Sequence, residues 1–218
     1  MRISKKHDVR LNEILDAATF LFIHKGYEKT TVNDILDKVE IGKGTFYHYF
    51  KSKEDVMNAV INRMVEAVVN TTSSIANHPT LGAHEKFKQI VTALNLSESP
   101  NRGMIEELHE CANAKMHQKS IIETIQAVAP IMAAVIKQGV SEGIYHVEYP
   151  LETIEFLLVA NQFIFDDGII KWQPEELITR AKAFVCITER VLGAAEGSFH
   201  FLLENLQARP NGGAAGEE

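Results

Sequence analysis

A chain of 218 residues that is 45% hydrophobic and 23% charged has the composition of an ordinary core-forming protein, which excludes disorder, a collagen-like repeat and a small disulfide scaffold. Its two cysteines, Cys111 and Cys186, lack CxxC spacing and are expected as reduced core residues. The net charge of −7 is unevenly spread: residues 1–53 carry ten Lys and Arg against seven Asp and Glu, and residues 54–218 twelve against twenty-two, so a polyanion would meet the N-terminal end first.

In chain order, apolar residues recurring at three and four predict helix after helix, hence an all-α chain. The first helix covers about 8–25, with Leu11, Ile14, Leu15, Ala18, Leu21 and Phe22 on one side, Asp8 as its N-cap and Gly26 as its stop. Thr31 followed by Asp34 approximates a capping box and opens a short helix over 31–38. Val39-Glu40-Ile41-Gly42 then leads to a third helix over 43–49, so two short helices joined by a tight glycine-containing turn form a helix-turn-helix. Ser52, with Asp55 three residues on, caps a long helix to about 76. Further helices are expected at 82–97, 101–116, 118–142, 151–167, 175–193 and 197–207, with Pro130 kinking or breaking the longest. The glycine-rich residues 209–218 read as a flexible tail.

The N-terminus MRISKKHDVR has no apolar signal core, and no uninterrupted apolar run reaches the roughly 20 residues that span a bilayer, so a cytoplasmic protein without a membrane partner is expected.

The segment Gly42-Lys43-Gly44-Thr45-Phe46-Tyr47-His48-Tyr49-Phe50-Lys51-Ser52-Lys53 concentrates small, basic, hydroxyl and aromatic residues. Lys43 and Gly44 suit a helix start facing an anion, since a glycine removes the side chain that would hold the backbone off a groove. Thr45 has a hydroxyl and a methyl for base edges, Tyr47 and His48 reach flanking phosphates, and Lys51 and Lys53 add charge. Phe46 and Phe50, four apart, should pack inward against Leu21, Phe22 and Ile35, whereas Tyr49 is open to either role.

That segment, with Ile14-Leu15-Asp16-Ala17-Ala18, Leu21-Phe22, Gly26-Tyr27 and Thr30-Thr31-Val32-Asn33-Asp34-Ile35, resembles in order and spacing the DNA-binding part of the TetR, or tetracycline-repressor-like, family over residues 10–53. The resemblance implies a three-helix helix-turn-helix domain, placed at 1–53, followed by a helical effector-binding and dimerisation domain, placed at 54–208. It implies a regulator, usually a repressor, that a small apolar effector releases from a palindromic double-stranded DNA operator. Lys29, Thr31, Tyr47, His48 and Lys53 would then hold phosphates, and Lys43, Gly44 and Thr45 would face bases. Glu40, acidic and in the turn, departs from what a polyanion surface favours.

One short recognition helix reads few base pairs, so a discrete operator calls for a homodimer. Two helices carry the stripes that would pair: Ile154, Phe156, Leu157, Leu158, Ala160, Phe163 and Ile164 in one, and Ile178, Ala181, Phe184, Val185, Thr188 and Val191 in the other. Burial of the same stripes within one chain is the plainer alternative. An effector pocket is expected between about 82 and 170, lined by Phe87, Ile90, Leu94, Met104, Leu108, Cys111, Met132, Ile136, Asn161, Gln162 and Phe165, although such residues are also ordinary core.

Glu106, His109 and Glu110 share a helical side, but a solvated face explains them more simply than a metal, and His117 lies too far along to join. No GxSxG, HExxH, Walker or GxGxxG pattern occurs, so neither an enzyme nor a cofactor is expected. The competing function is an architectural or division-linked DNA-binding protein without a small-molecule effector.

Overall fold

The structure is a computed structural model that describes residues 2–94, 114–166 and 169–203, with side chains from His7 onward. The described residues are all-α as expected, with eight bounded helices, a further helical stretch at 201–203 and no strand. They are α1 (Arg2–Lys25), α2 (Val32–Val39), α3 (Lys43–Tyr49), α4 (Lys53–Ala76), α5 (Ala83–Leu94), α6 (Ala114–Ser141), α7 (Pro150–Ile164) and α8 (Pro174–Leu192). They fall into two compact units, one within Met1–Ala67 and Gly103–Thr124, the other within Val68–Arg102 and Ile125–Glu218. Met104, Leu108 and Cys111, the Glu106, His109 and Glu110 group, and the 209–218 tail lie outside the described residues.

In the first unit α1–α3 close over Ile14, Ala18, Phe22, Ile35 and Phe46, all fully buried. The core continues into the first turns of α4 through Val56, Met57, Val60 and Ile61, and into the start of α6 through Met116. Polar links repeat the arrangement at the surface, with Arg63 on Asp16 at 2.6 Å and Lys119 on Asn58 at 2.7 Å. α1 ends where Gly26 adopts φ 86°, the left-handed region in which glycine carries no Cβ penalty. It begins earlier than expected, at Arg2, because no Gly or Pro interrupts residues 2–7; Asp8 therefore lies inside the helix and is not its N-cap.

The second unit packs the rest of α4, α5, most of α6, α7, α8 and residues 194–203 around Ile90, Ala129, Ile136, Ile154, Leu192 and Phe199. α6 runs through Pro130 without a break. Pro130 removes one ladder hydrogen bond, but it and Gln126, whose carbonyl loses that partner, are both exposed, while the flanking Val128, Ala129, Met132 and Ala133 are buried. By length and composition α6 is long and apolar enough to cross a bilayer, which the sequence reading did not anticipate; its apolar side is spent on the two cores.

One side chain departs from expectation here. Cys186 is exposed, because the register of α8 sets it between Lys182 and Arg190 one turn away on either side. His84 is half-buried with its Nδ1 3.0 Å from the Tyr145 hydroxyl and its ring against Phe199. Burial pushes the Tyr145 phenol well above its ordinary range, so it stays protonated and available to that hydrogen bond.

Candidate nucleic-acid interface

α2 is set by its cap. The Thr31 hydroxyl accepts from the Asp34 N–H at 3.1 Å and donates to Asp34 Oδ2 at 2.8 Å, and the same carboxylate accepts the Thr31 N–H at 2.7 Å. Lys25 at the end of α1 donates to Asp34 Oδ2 at 2.6 Å. Lys25 first, and then the Thr31 N–H and hydroxyl, lower the Asp34 carboxyl to about 2. A depressed folded-state value means the contribution is complete above the ordinary carboxylate range and is lost as pH falls towards 2. Urea unfolding of the parent and of Asp34→Asn should therefore show a stability gap near neutral pH that narrows between about pH 4 and pH 2. A gap that is constant with pH would refute the role given to Asp34.

The turn to α3 uses Glu40 at φ 55°, a left-handed conformation in a non-glycine residue, and the Ile41 N–H returns to the Leu36 carbonyl at 3.1 Å. α3 then starts at Gly42, whose carbonyl accepts the Thr45 and Phe46 N–H groups. Phe46 is fully buried and Phe50 nearly so, in one core with Phe22 and Ile35, as the four-residue spacing predicts. That anchor turns Lys43, Gly44, Thr45, Tyr47 and His48 outward, all of them exposed. Tyr49, left open by the sequence, is half-buried with its ring 4.6 Å from that of His7.

Gly44 is informative because nothing inside the molecule requires it: a Cβ there would meet no atom within 4 Å, and its φ is not in the left-handed region. A glycine in a helix that neither turn geometry nor packing explains fits a surface built for close approach from outside. Lys29 is exposed beside the start of α2. Thr31 is exposed too, with its hydroxyl hydrogen already given to Asp34, which leaves it an acceptor. Lys53 is half-buried: its ammonium donates to the carbonyls of Tyr27 at 2.7 Å and Glu28 at 3.3 Å and sits over the Tyr27 ring, so it fastens the loop before α2 and keeps limited donor capacity for a phosphate.

The second unit holds a cavity partly open to solvent, and of the expected lining residues Phe87, Leu94, Met132 and Asn161 face it. Ile90 and Ile136 are fully buried core, and Phe165 packs on the Phe184 ring. Gln162 donates instead to Asp166 at 2.9 Å. The lining also includes Val91, Ile154, Leu157 and Leu158, and reaches past residue 170 to Phe184, Thr188 and Leu202.

The profile of the bacterial regulatory proteins of the tetR family matches residues 14–60, and that of the tetracyclin repressor-like C-terminal domain matches residues 97–187. The chain belongs to the TetR family of DNA-binding transcription regulators. Among its relatives, the HTH-type transcriptional regulator YhgD of Bacillus subtilis is 28% identical over 60% of this chain and 67% of its own length. The HTH-type transcriptional repressor KstR2 of Rhodococcus jostii is 27% identical over 75% of this chain and 79% of its own. The crystal structure of a TetR-family regulator from Syntrophomonas wolfei shares the fold at a TM-score of 0.63 and 20% identity, covering 92% of this chain and 94% of that one.

For a TetR-family chain, the two stripes expected at a dimer interface divide instructively. Leu157, Ala181, Phe184, Val185 and Thr188 are buried within the single chain, so pairing would have little area left to remove from water there. Phe156, Phe163, Ile178 and Val191 are exposed, Ala160 and Ile164 half-buried, and Val159 and Ile187 join the outward set. Helical phase separates the two groups, and phase relative to the core requires knowing which neighbour each helix packs on.

Proposed function

We propose that the protein binds a palindromic operator as a homodimer, represses from it, and is released by a small apolar molecule held in the cavity of the second unit. The observation that carries the DNA-reading part is the exposed outward row of Lys43, Gly44, Thr45, Tyr47 and His48 on α3; in this reading the first three meet bases, and Tyr47 and His48 meet the flanking phosphates with Lys29 and Thr31 at the start of α2. Lys53 acts mainly by holding the loop that presents them. Repression is supported by kinship with a relative named a transcriptional repressor. Coupling is supported by α6, which supplies Met116 to the core of the DNA-binding unit and Met132 to the cavity lining.

Selection of random duplex DNA on the purified protein, followed by binding titrations of the winning sequence, tests the reading. The expected result is a two-fold symmetric site bound by a dimer. Gly44→Ala then isolates the surface: with no internal clash it should raise folding stability by up to about 1 kcal/mol, through helix propensity, while weakening operator binding by tenfold or more. Failure to enrich any sequence would refute specific binding, and an unweakened Gly44→Ala would remove α3's start from the contact surface.

A further inference from the structure

We infer that the cavity of the second unit takes an uncharged, mainly aliphatic or alicyclic molecule whose one polar group hydrogen-bonds the side-chain amide of Asn161; this rests on the effector reading above. The described lining is apolar apart from Asn161 and Thr188, and none of it is charged. Thr188 has given its hydroxyl hydrogen to the Phe184 carbonyl at 2.8 Å. The Asn161 backbone carbonyl is likewise used, by the Phe165 N–H at 3.1 Å, but its side-chain amide has no partner among the described residues.

Among the described residues, the charged side chains buried in this unit are engaged elsewhere: Lys86 donates to Gln138 at 2.9 Å, Asp166 accepts from Gln162, and Glu189 accepts the Phe199 N–H at 3.0 Å. A carboxylate or phosphate entering the cavity would lose its water without gaining a counter-charge from the described lining. A neutral hydroxyl or carbonyl would meet in Asn161 both a donor and an acceptor. A pure hydrocarbon would cover the amide and leave it unpaired, so Asn161 selects against both extremes.

The test is calorimetric titration of the full chain at pH 8 with decanol and with decanoate, which differ in head group and hardly in tail, together with operator release by each. Decanol should bind at least tenfold more tightly than decanoate. Asn161→Leu, its fold checked by circular dichroism and its melting temperature, should bind decanol about tenfold more weakly than the parent. Decanoate binding as tightly as decanol, binding of neither, or an Asn161→Leu variant with undiminished decanol affinity would each overturn the inference. The comparison of the two probes on the parent needs no variant. Tight decanol binding without operator release would uphold the ligand class and refute the effector reading, so the two failures are distinct.

Discussion

Glutamates at both Phe156 and Ile187 should leave a folded chain that is monomeric and has lost its operator. Phe156 on α7 is 78% exposed and Ile187 on α8 51% exposed in the single chain, so neither change opens a cavity, and each should alter folding stability by no more than about 0.5 kcal/mol. A dimer that pairs α7 and α8 across a two-fold axis changes the result. Each carboxylate would enter an apolar contact of Phe163, Val159 and Val191, where Arg190, three residues after Ile187, could answer that position but no basic residue lies three or four residues from Phe156, and symmetry doubles the count to four. At several kcal/mol per uncompensated ion, with a tenfold change in the equilibrium constant for every 1.4 kcal/mol, the dimer should dissociate at any practical concentration. A monomer keeps one recognition helix, so operator affinity should fall by at least about 100-fold. Sedimentation velocity together with operator titration reads both effects. A variant that remains dimeric would show that this face is not the interface.

The DNA-binding unit was legible in the sequence, and the cavity lining and the outward side of α7 and α8 were not, for reasons visible in particular residues. Thr31 and Asp34 set a helix start by contacts three residues apart, and Phe46 and Phe50 share a helical side by spacing alone. These are local relations that a linear reading contains. Leu202 reaches the cavity only because residues 194–203 fold back onto α5 and Tyr145, and Phe184 faces inward only because α8 packs against α7. Periodicity identified the stripes of α7 and α8, but a stripe on a helix that is apolar nearly all round does not declare which half meets the core. Leu157 and Phe184 thus turned out to be lining, Val185 core, and Phe156 surface. Lys53 illustrates a further limit: a lysine beside a recognition helix suggests a phosphate, yet its ammonium is held by two carbonyls some twenty-five residues earlier in the chain.

Gly139→Ala should destabilise the second unit sharply, against the sign that helix propensity alone assigns. An alanine inside α6 would ordinarily gain about 1 kcal/mol over glycine. Here the added Cβ would stand 2.2 Å from Tyr145 Cδ2 and 2.6 Å from Cε2, well inside van der Waals contact, so ring or helix must move. The ring has nowhere to go. It is 1% exposed, tied to His84 through its hydroxyl and packed on Phe199. The helix is equally held, because the Gly139 carbonyl accepts both the Ile144 and Tyr145 N–H groups where the chain turns back at Gly143, φ 75°. Overpacking with so little relief costs about 3 kcal/mol, which outweighs the propensity gain and should lower the melting temperature by roughly 5–10 °C. A double-mutant cycle with Tyr145→Ala identifies the cause, since removing the ring should abolish the penalty of Gly139→Ala and leave the propensity gain. An equal loss in both backgrounds would mean that the close approach of Tyr145 is not what requires glycine at 139. Because Phe199 is held in this joint and Leu202, three residues on, lines the cavity, loosening it should also weaken retention of any ligand bound there.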